Sequence, residues 1–154
     1  MRATVEVHPA GDADVATLAE LRAGWVQDKR GAAVGPDFGD RFAAWHDAQA
    51  GNRRAWLAQR DGEPVGMVNL FVYQRMPVPD REQVPWGYVG ALFVRAEHRD
   101  AGIGRQLMEA LVAWSIEHGL ERLVVNPSDR SFPFYERLGF DTPPKLLQLD
   151  LPRP

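Results

Sequence analysis

The stretch LFVRAEHRDAGIGR, residues 92–105, decides how this chain is read. Its first residues close the run WGYVGALFVR, residues 86–95, which is almost continuously apolar, as expected of a central strand covered on both faces. Beyond it the sequence predicts a helix over about 101–118, with the stripe Ile103, Leu107, Ala110, Leu111 and Trp114 and a stop at Gly119. The first turn of such a helix carries backbone N–H groups without intrahelical acceptors, and its dipole adds partial positive charge. Glycines at 102 and 104 remove Cβ atoms that would hold an anion away from that backbone, and Arg99 and Arg105 can add fork-shaped hydrogen bonds. Two glycines ahead of a helix also suit a plain tight turn, so these residues alone leave both readings open. Two nucleotide loops are excluded. No GxxxxGKS or GxxxxGKT run occurs, and the position of the third glycine of GxGxxG is Leu107.

Outward from this segment, the elements alternate. Residues 4–7 read as a strand, and Asp12 offers an N-cap for a helix to about Asp28 with Val15, Leu18, Leu21 and Trp25 on one side. Residues 30–37 are a loop. A second helix spans about 37–50, with Phe38, Phe42 and Trp45 together, and Gly51-Asn52 ends it. Residues 55–59 and 65–73 form a hairpin about Asp61-Gly62. Residues 74–85, with three prolines, are a long irregular connection. After the 101–118 helix come a short strand at 123–126, a short helix at 131–138 stopped by Gly139, and a final turn-and-strand region through about Leu151. The order β-α-α-β-β-β-α-β-α-β implies an α/β (α+β) fold. Its mixed sheet combines hairpin-linked antiparallel strands with one parallel pair joined through a helix, and helices lie on its faces.

Bulk properties bound the function. The 154 residues suit one domain, 1–154, and 45% hydrophobic with 25% charged residues is a globular balance. A net charge of -3 does not indicate a nucleic-acid surface. No stretch has the apolar length of a membrane helix, and the first residues lack a signal-peptide core, so a cytoplasmic protein with no membrane partner is expected. With no cysteine, disulfides, thiolate zinc sites and an acyl-cysteine intermediate are excluded. The four histidines show no HExxH-type spacing, so no metal is expected.

A second block changes the weight of the first. Asn126 ends a strand and is followed by FPFYERLGF, residues 132–140. Arg99-x-x-Gly102-x-Gly104 after a strand ending in valine resembles the acetyl-CoA pyrophosphate loop of the GNAT N-acetyltransferases, Arg/Gln-x-x-Gly-x-Gly/Ala. Asn126 with Tyr-Glu-x-x-Gly-Phe resembles that family's second motif, in the same order and at the same distance. The motifs span about 92–140, and the element order extends the resemblance over nearly the whole chain.

The resemblance implies a mostly antiparallel sheet whose one parallel strand pair splays apart, with the pantetheine arm of acetyl-CoA, or another acyl-CoA, lying between them. Leu92, Phe93 and Val94 would supply backbone contacts as to an added strand. Arg99, Asp100, Ala101, Gly102, Ile103, Gly104 and Arg105 would hold the pyrophosphate, and Asn126 the pantetheine arm, or else cap a turn. Pro127 fits a strand stopping there, since it has no N–H to extend a ladder. Tyr135 is the candidate general acid, protonated at pH 7 and able to donate to a departing thiolate. Its other reading is a tyrosine packed in an amphipathic helix. Gly90-Ala91-Leu92 carries no carboxylate where some family members have an acidic residue, which leaves the base to water, Glu82, His46 or His98. Trp25, Tyr73, Trp86 and Tyr88, with the 74–85 loop, are expected to shape an acceptor pocket. The implied activity is direct transfer, in a ternary complex, from acetyl-CoA to the amine of a small molecule or peptide. A silent acyl-CoA-binding module is the alternative. A homodimer through an exposed strand is compatible with either.

Overall fold

The computed structural model describes residues 4–142 and 146–154. A five-stranded sheet of order β1-β2-β3-β4-β5 runs from β1 (Val5–Pro9) through β2 (Arg53–Arg60), β3 (Glu63–Tyr73) and β4 (Trp86–Val94) to β5 (Leu123–Val125). The first four strands are antiparallel, and β4 and β5 are parallel, joined by helix α3 (Ile103–Glu117). Asp61 and Gly62, at φ 51° and 82°, make the two-residue turn between β2 and β3 that suits the twist of a hairpin.

Helices α1 (Val15–Arg30) and α2 (Phe38–Ala48) cover one face, and α3 the other. Leu18, Leu21, Phe42, Ala55, Leu57, Met67 and Phe93 form the core under α1 and α2. Trp56, Val65, Val68, Leu70, Val89, Ile103, Leu107, Met108 and Leu111 form the core under α3, which Tyr135 joins from the short helix α4 (Phe132–Arg137). Alternation along β2 explains the division, because Ala55 and Leu57 point one way while Trp56 and Ala58 point the other. Helix α1 runs past Asp28 to Arg30, where Gly31 at φ 63° donates its N–H to the Gln27 carbonyl.

The decisive irregularity is in β4. Met67 pairs with Phe93 and Asn69 with Gly90, so two residues of advance on β3 meet three on β4. The extra residue makes a bulge, and Ala91 takes φ 54° within it. Before the bulge Tyr88 and Gly90 face α1 and α2; beyond it Phe93 does. Pairing of β4 with β5 stops at Val89 and Val125, just ahead of the bulge, and the two strands separate from there. The mixed sheet, the parallel pair and the helices on both faces agree with the sequence.

The expected final strand is not formed by the described residues. Residues 140–142 and 146–154 join no ladder, and Leu146, Leu147, Leu149 and Leu151 are exposed; residues 143–145 lie outside the described part. Strand β5 has only three residues, so a strand added to its open edge would gain few hydrogen bonds.

Candidate active site

Where β4 leaves β5, two cavities meet, and both are lined by Leu92 and Ser131. The first, about 500 Å3, is bounded by Val94, His98, Arg99, Asp100, Gly102, Ile103, Gly104, Arg105, Phe134 and Arg137. Gly102 caps α3 at φ 79°, a left-handed conformation that costs an L-residue about 1–2 kcal/mol. The first closing bond of α3 runs from Gln106 N–H to the Gly102 carbonyl, so the N–H groups ahead of Gln106 have no acceptor within the helix. A Cβ on Gly104 would stand 3.5 Å from Phe134, in ordinary contact, so the glycine keeps the approach to these donors low without being sterically forced.

Arg99 donates from Nε to the Val94 carbonyl at 3.0 Å and pairs with Asp28 at 3.2 Å. Both ends of that pair are well exposed, so an arriving phosphate can replace Asp28 at small cost. Arg105 pairs with Glu109 along the outside of α3. Ala101 is exposed and does not line the cavity, and the Phe93 side chain is buried under α1, leaving its backbone as the part that can meet a ligand. Free helix donors, arginines on two sides and a strand edge released by the bulge together fit a ligand with a pyrophosphate and a peptide-like arm, as acetyl-CoA has.

The second cavity, about 580 Å3, is floored by Met67, Asn69, Phe71, Tyr88 and Gly90 and walled by α1 and α2. Asn126, Pro127, Ser128 and Tyr135 close its inner end. Ser128 and Ser131 organise the turn into α4: the Ser131 N–H lies 3.3 Å from the Ser128 hydroxyl oxygen, and the Phe132 N–H donates to the Ser128 carbonyl. Pro133 falls in the first turn of α4, where a missing N–H costs no helical bond. Tyr135 is 7% exposed and held edge-on between Phe134 and Phe140. Burial, with the nearby Tyr88 phenol adding to it, pushes its hydroxyl up to about 12, so it is a proton donor throughout the neutral range.

Of the aromatics expected around the acceptor, Trp25 and Tyr88 line this cavity and Tyr73 and Trp86 do not. Those two face each other across β3 and β4 and stack at 4.7 Å toward the opposite end of the sheet. The 74–85 loop is held at that same end, by the Arg75–Glu121 ion pair and by the Glu121 N–H on the Pro85 carbonyl, so it does not shape the pocket. None of the candidate bases lines this second cavity. Glu82 is exposed on the distant loop, His98 borders the other cavity, and His46 is buried in α2 with its Nδ1 unpartnered.

Sequence reasoning did not single out Arg22, Arg41, Arg53 and Asn69, which also line the cavity. The signal was available for Arg53, since strand alternation puts it on the face of Ala55 and Leu57, both core residues.

A family model described as Acetyltransferase (GNAT) family matches residues 19–140. Glucosamine 6-phosphate N-acetyltransferase of Trypanosoma brucei brucei is 30% identical over 98 residues, which are 64% of this chain and 65% of that protein. The match thus spans just under two thirds of the relative's length. Among solved structures, a predicted acetyltransferase from Clostridium acetobutylicum with acetyl-CoA superposes with a TM-score of 0.79 at 17% identity, covering 96% of each chain. An aminoglycoside N-acetyltransferase in complex with CoA superposes with a TM-score of 0.75 at 16% identity, covering 98% of this chain and 97% of the other. At these identities the two superpositions establish the fold.

Proposed function

From the chain's membership in the GNAT acetyltransferase family we infer that it is an N-acetyltransferase, moving the acetyl group of acetyl-CoA directly to an amine. The observation that carries this reading is the meeting of the two cavities at Leu92 and Ser131. One offers the unpaired helix donors of α3, and the other brings the Tyr135 region to the gap between β4 and β5. The relatives carry over the acceptor only as an amine, since one is named for a phosphorylated amino sugar and another for aminoglycosides.

Acetyl-CoA supplies an activated thioester. The α3 N-terminus, Arg99 and Gly102–Gly104 hold its pyrophosphate, and the released edge of β4 at residues 92–94 and Asn126 hold its pantetheine arm. Tyr135 donates its proton toward the departing sulfur, because a hydroxyl kept neutral by burial is available at any physiological pH. The amine's own proton leaves to water, and the Tyr135 oxygen regains a proton from water, which closes the cycle. Arg22, Lys29, Arg41 and Arg53 line the acceptor cavity and, among the described residues, no carboxylate or histidine does, and like charge favours the neutral, nucleophilic amine. With no cysteine in the chain, no acyl-cysteine intermediate intervenes.

Thermal unfolding with and without acetyl-CoA tests the reading, beside the Arg99→Ala, Gly104→Val double variant. A ligand present at a hundred times its Kd stabilises the native state by about 2.7 kcal/mol. The native protein should show that stabilisation and the variant should lose it. No shift in a folded native protein at millimolar acetyl-CoA refutes the assignment. Among the described residues no carboxylate or histidine lines the acceptor cavity to act as a general base, and this is the one observation that favours a silent acyl-CoA-binding module. That reading predicts the same shift with no transfer to any amine.

A further inference from the structure

Arg53 opens β2 with its side chain turned toward α1 and α2, on the face of Ala55 and Leu57. The residue is 6% exposed. Its guanidinium lies 4.9 Å from the Trp45 ring, its Nε has no acceptor, and among the described residues no carboxylate forms an ion pair with it. Arginine stays charged at any physiological pH, and a buried cation without a counter-ion is strongly unfavourable. The Trp45 ring offsets part of that cost, but it offers no oxygen to the guanidinium's N–H groups.

The surroundings repeat the pattern. Arg22 and Lys29 reach into the same cavity over the Trp25 ring, at 4.3 and 4.9 Å, and among the described residues neither has a carboxylate partner. Burial, with Arg30 adding like charge, lowers the Arg22 pKa from its ordinary value, so an anion beside it would relieve an existing repulsion. Arg41 also lines the cavity and pairs with Asp37 on the exposed side of α2. Asn69, 4% exposed and one strand away, has its Oδ1 without a donor, an acceptor that can take an N–H of the ligand and not its anionic group.

We propose that the acceptor is an amine carrying its own anionic group, a phosphate or a carboxylate, and that Arg53, with Arg22 beside it, binds that group while the amine faces the gap at Gly90 and Asn126. The sheet sets the size of the molecule. Ala55, Asn69 and Gly90 lie in one row across three strands, and Arg53 is two residues from that row. Strand spacing and rise therefore separate the Arg53 and Gly90 Cα atoms by about 12 Å. The Arg53 side chain rises from the sheet toward Trp45 and not along it, so this distance is the scale of the span between anion and amine and suits a small molecule. A polycationic acceptor would meet four cationic side chains and, among the described residues, no lining carboxylate, so the cavity selects against it.

The placement of the amine rests on the acetyltransferase reading, whereas the anion site does not. The test is calorimetric titration of the CoA-saturated protein, in which the phosphate-binding end of the cofactor site is already filled. An amino sugar phosphate is compared with the free amino sugar, and an ω-amino acid with its amide. At least one anionic member should bind tenfold or more tightly than its neutral partner, and which pair shows the difference separates phosphate from carboxylate. Arg53→Met should abolish the difference, keep the stabilisation by acetyl-CoA and raise the Tm, because it removes an uncompensated buried charge. Arg53→Lys should keep part of the preference. Arg22→Met should weaken it in a protein whose fold does not depend on the Arg53 site. Equal binding of anionic and neutral amines overturns the proposal, and so does a preference that survives both methionine variants. Selective anion binding without acetyl transfer would leave this site standing and remove the acetyltransferase reading. Transfer to neutral amines with no effect of Arg53 would do the reverse.

Discussion

Replacing Tyr135 with phenylalanine removes one oxygen and leaves the ring between Phe134 and Phe140. Two consequences follow from the same burial. For catalysis, loss of a positioned general acid lowers the rate by about 10²–10⁴-fold. The lower end, about a hundredfold in kcat, is expected here, because a thiolate leaves more readily than an alkoxide. The KM for acetyl-CoA should be nearly unchanged, since the hydroxyl acts on charge that develops only in the transition state. For stability, the hydroxyl titrates near 10 in the unfolded chain and is raised to about 12 in the folded one. Its contribution is therefore complete below pH 10. As pH rises through 10 the unfolded chain begins to ionise first, and once the pH has passed about 12 the full contribution, roughly 2.7 kcal/mol, has been lost. Steady-state release of CoA thiol, measured from pH 6 to 9.5, reads the first effect, and urea unfolding at pH 8 and pH 11 reads the second. The native profile should show no fall attributable to Tyr135 below pH 9.5, and Tyr135→Phe should lose less stability between the two pH values than the native protein. A variant within threefold of native kcat would refute the general-acid role.

Two further outcomes concern the elements that frame the site. Gly87→Ala should destabilise the fold by about 1–3 kcal/mol in denaturant unfolding, because its Cβ would stand 2.7 Å from Leu70 and 2.8 Å from Leu123 where β5 joins β4. Asp28→Asn should tighten acetyl-CoA binding by about two- to fivefold in calorimetry, the scale of an exposed ion pair, because it frees Arg99 and removes a negative charge beside the phosphate cavity.

Much of the proposed cofactor side was legible because its signals are local. The turn proposed to hold the pyrophosphate is built from consecutive backbone at Gly102–Gly104, and the helix that follows is periodic over its whole length. Tyr135 sits in a contiguous motif whose neighbours Phe134 and Phe140 are also its packing partners. The hairpin at Asp61-Gly62 needs only the two residues that tolerate its backbone. These features depend on interactions a few residues apart, so residue order alone expresses them.

The proposed acceptor side depends on tertiary structure. Tyr73 and Trp86 looked like pocket aromatics because they are near β4 in sequence, yet the antiparallel register stacks them on each other at the end of the sheet that holds the 74–85 loop. His46 stands among the candidate bases, yet the packing of α2 buries it away from the cavity. Ala91 carries no sequence mark of a bulge, but its extra residue ends the β4–β5 ladder and opens the gap. Arg53 is the clearest case. Strand alternation tells which face it takes, but only the packing of α1 and α2 over that face makes the arginine buried, unpaired and directed at a cavity. Local geometry is encoded by neighbours along the chain. Burial and the absence of a counter-ion depend on every element that arrives from elsewhere, and no single stretch of sequence contains them.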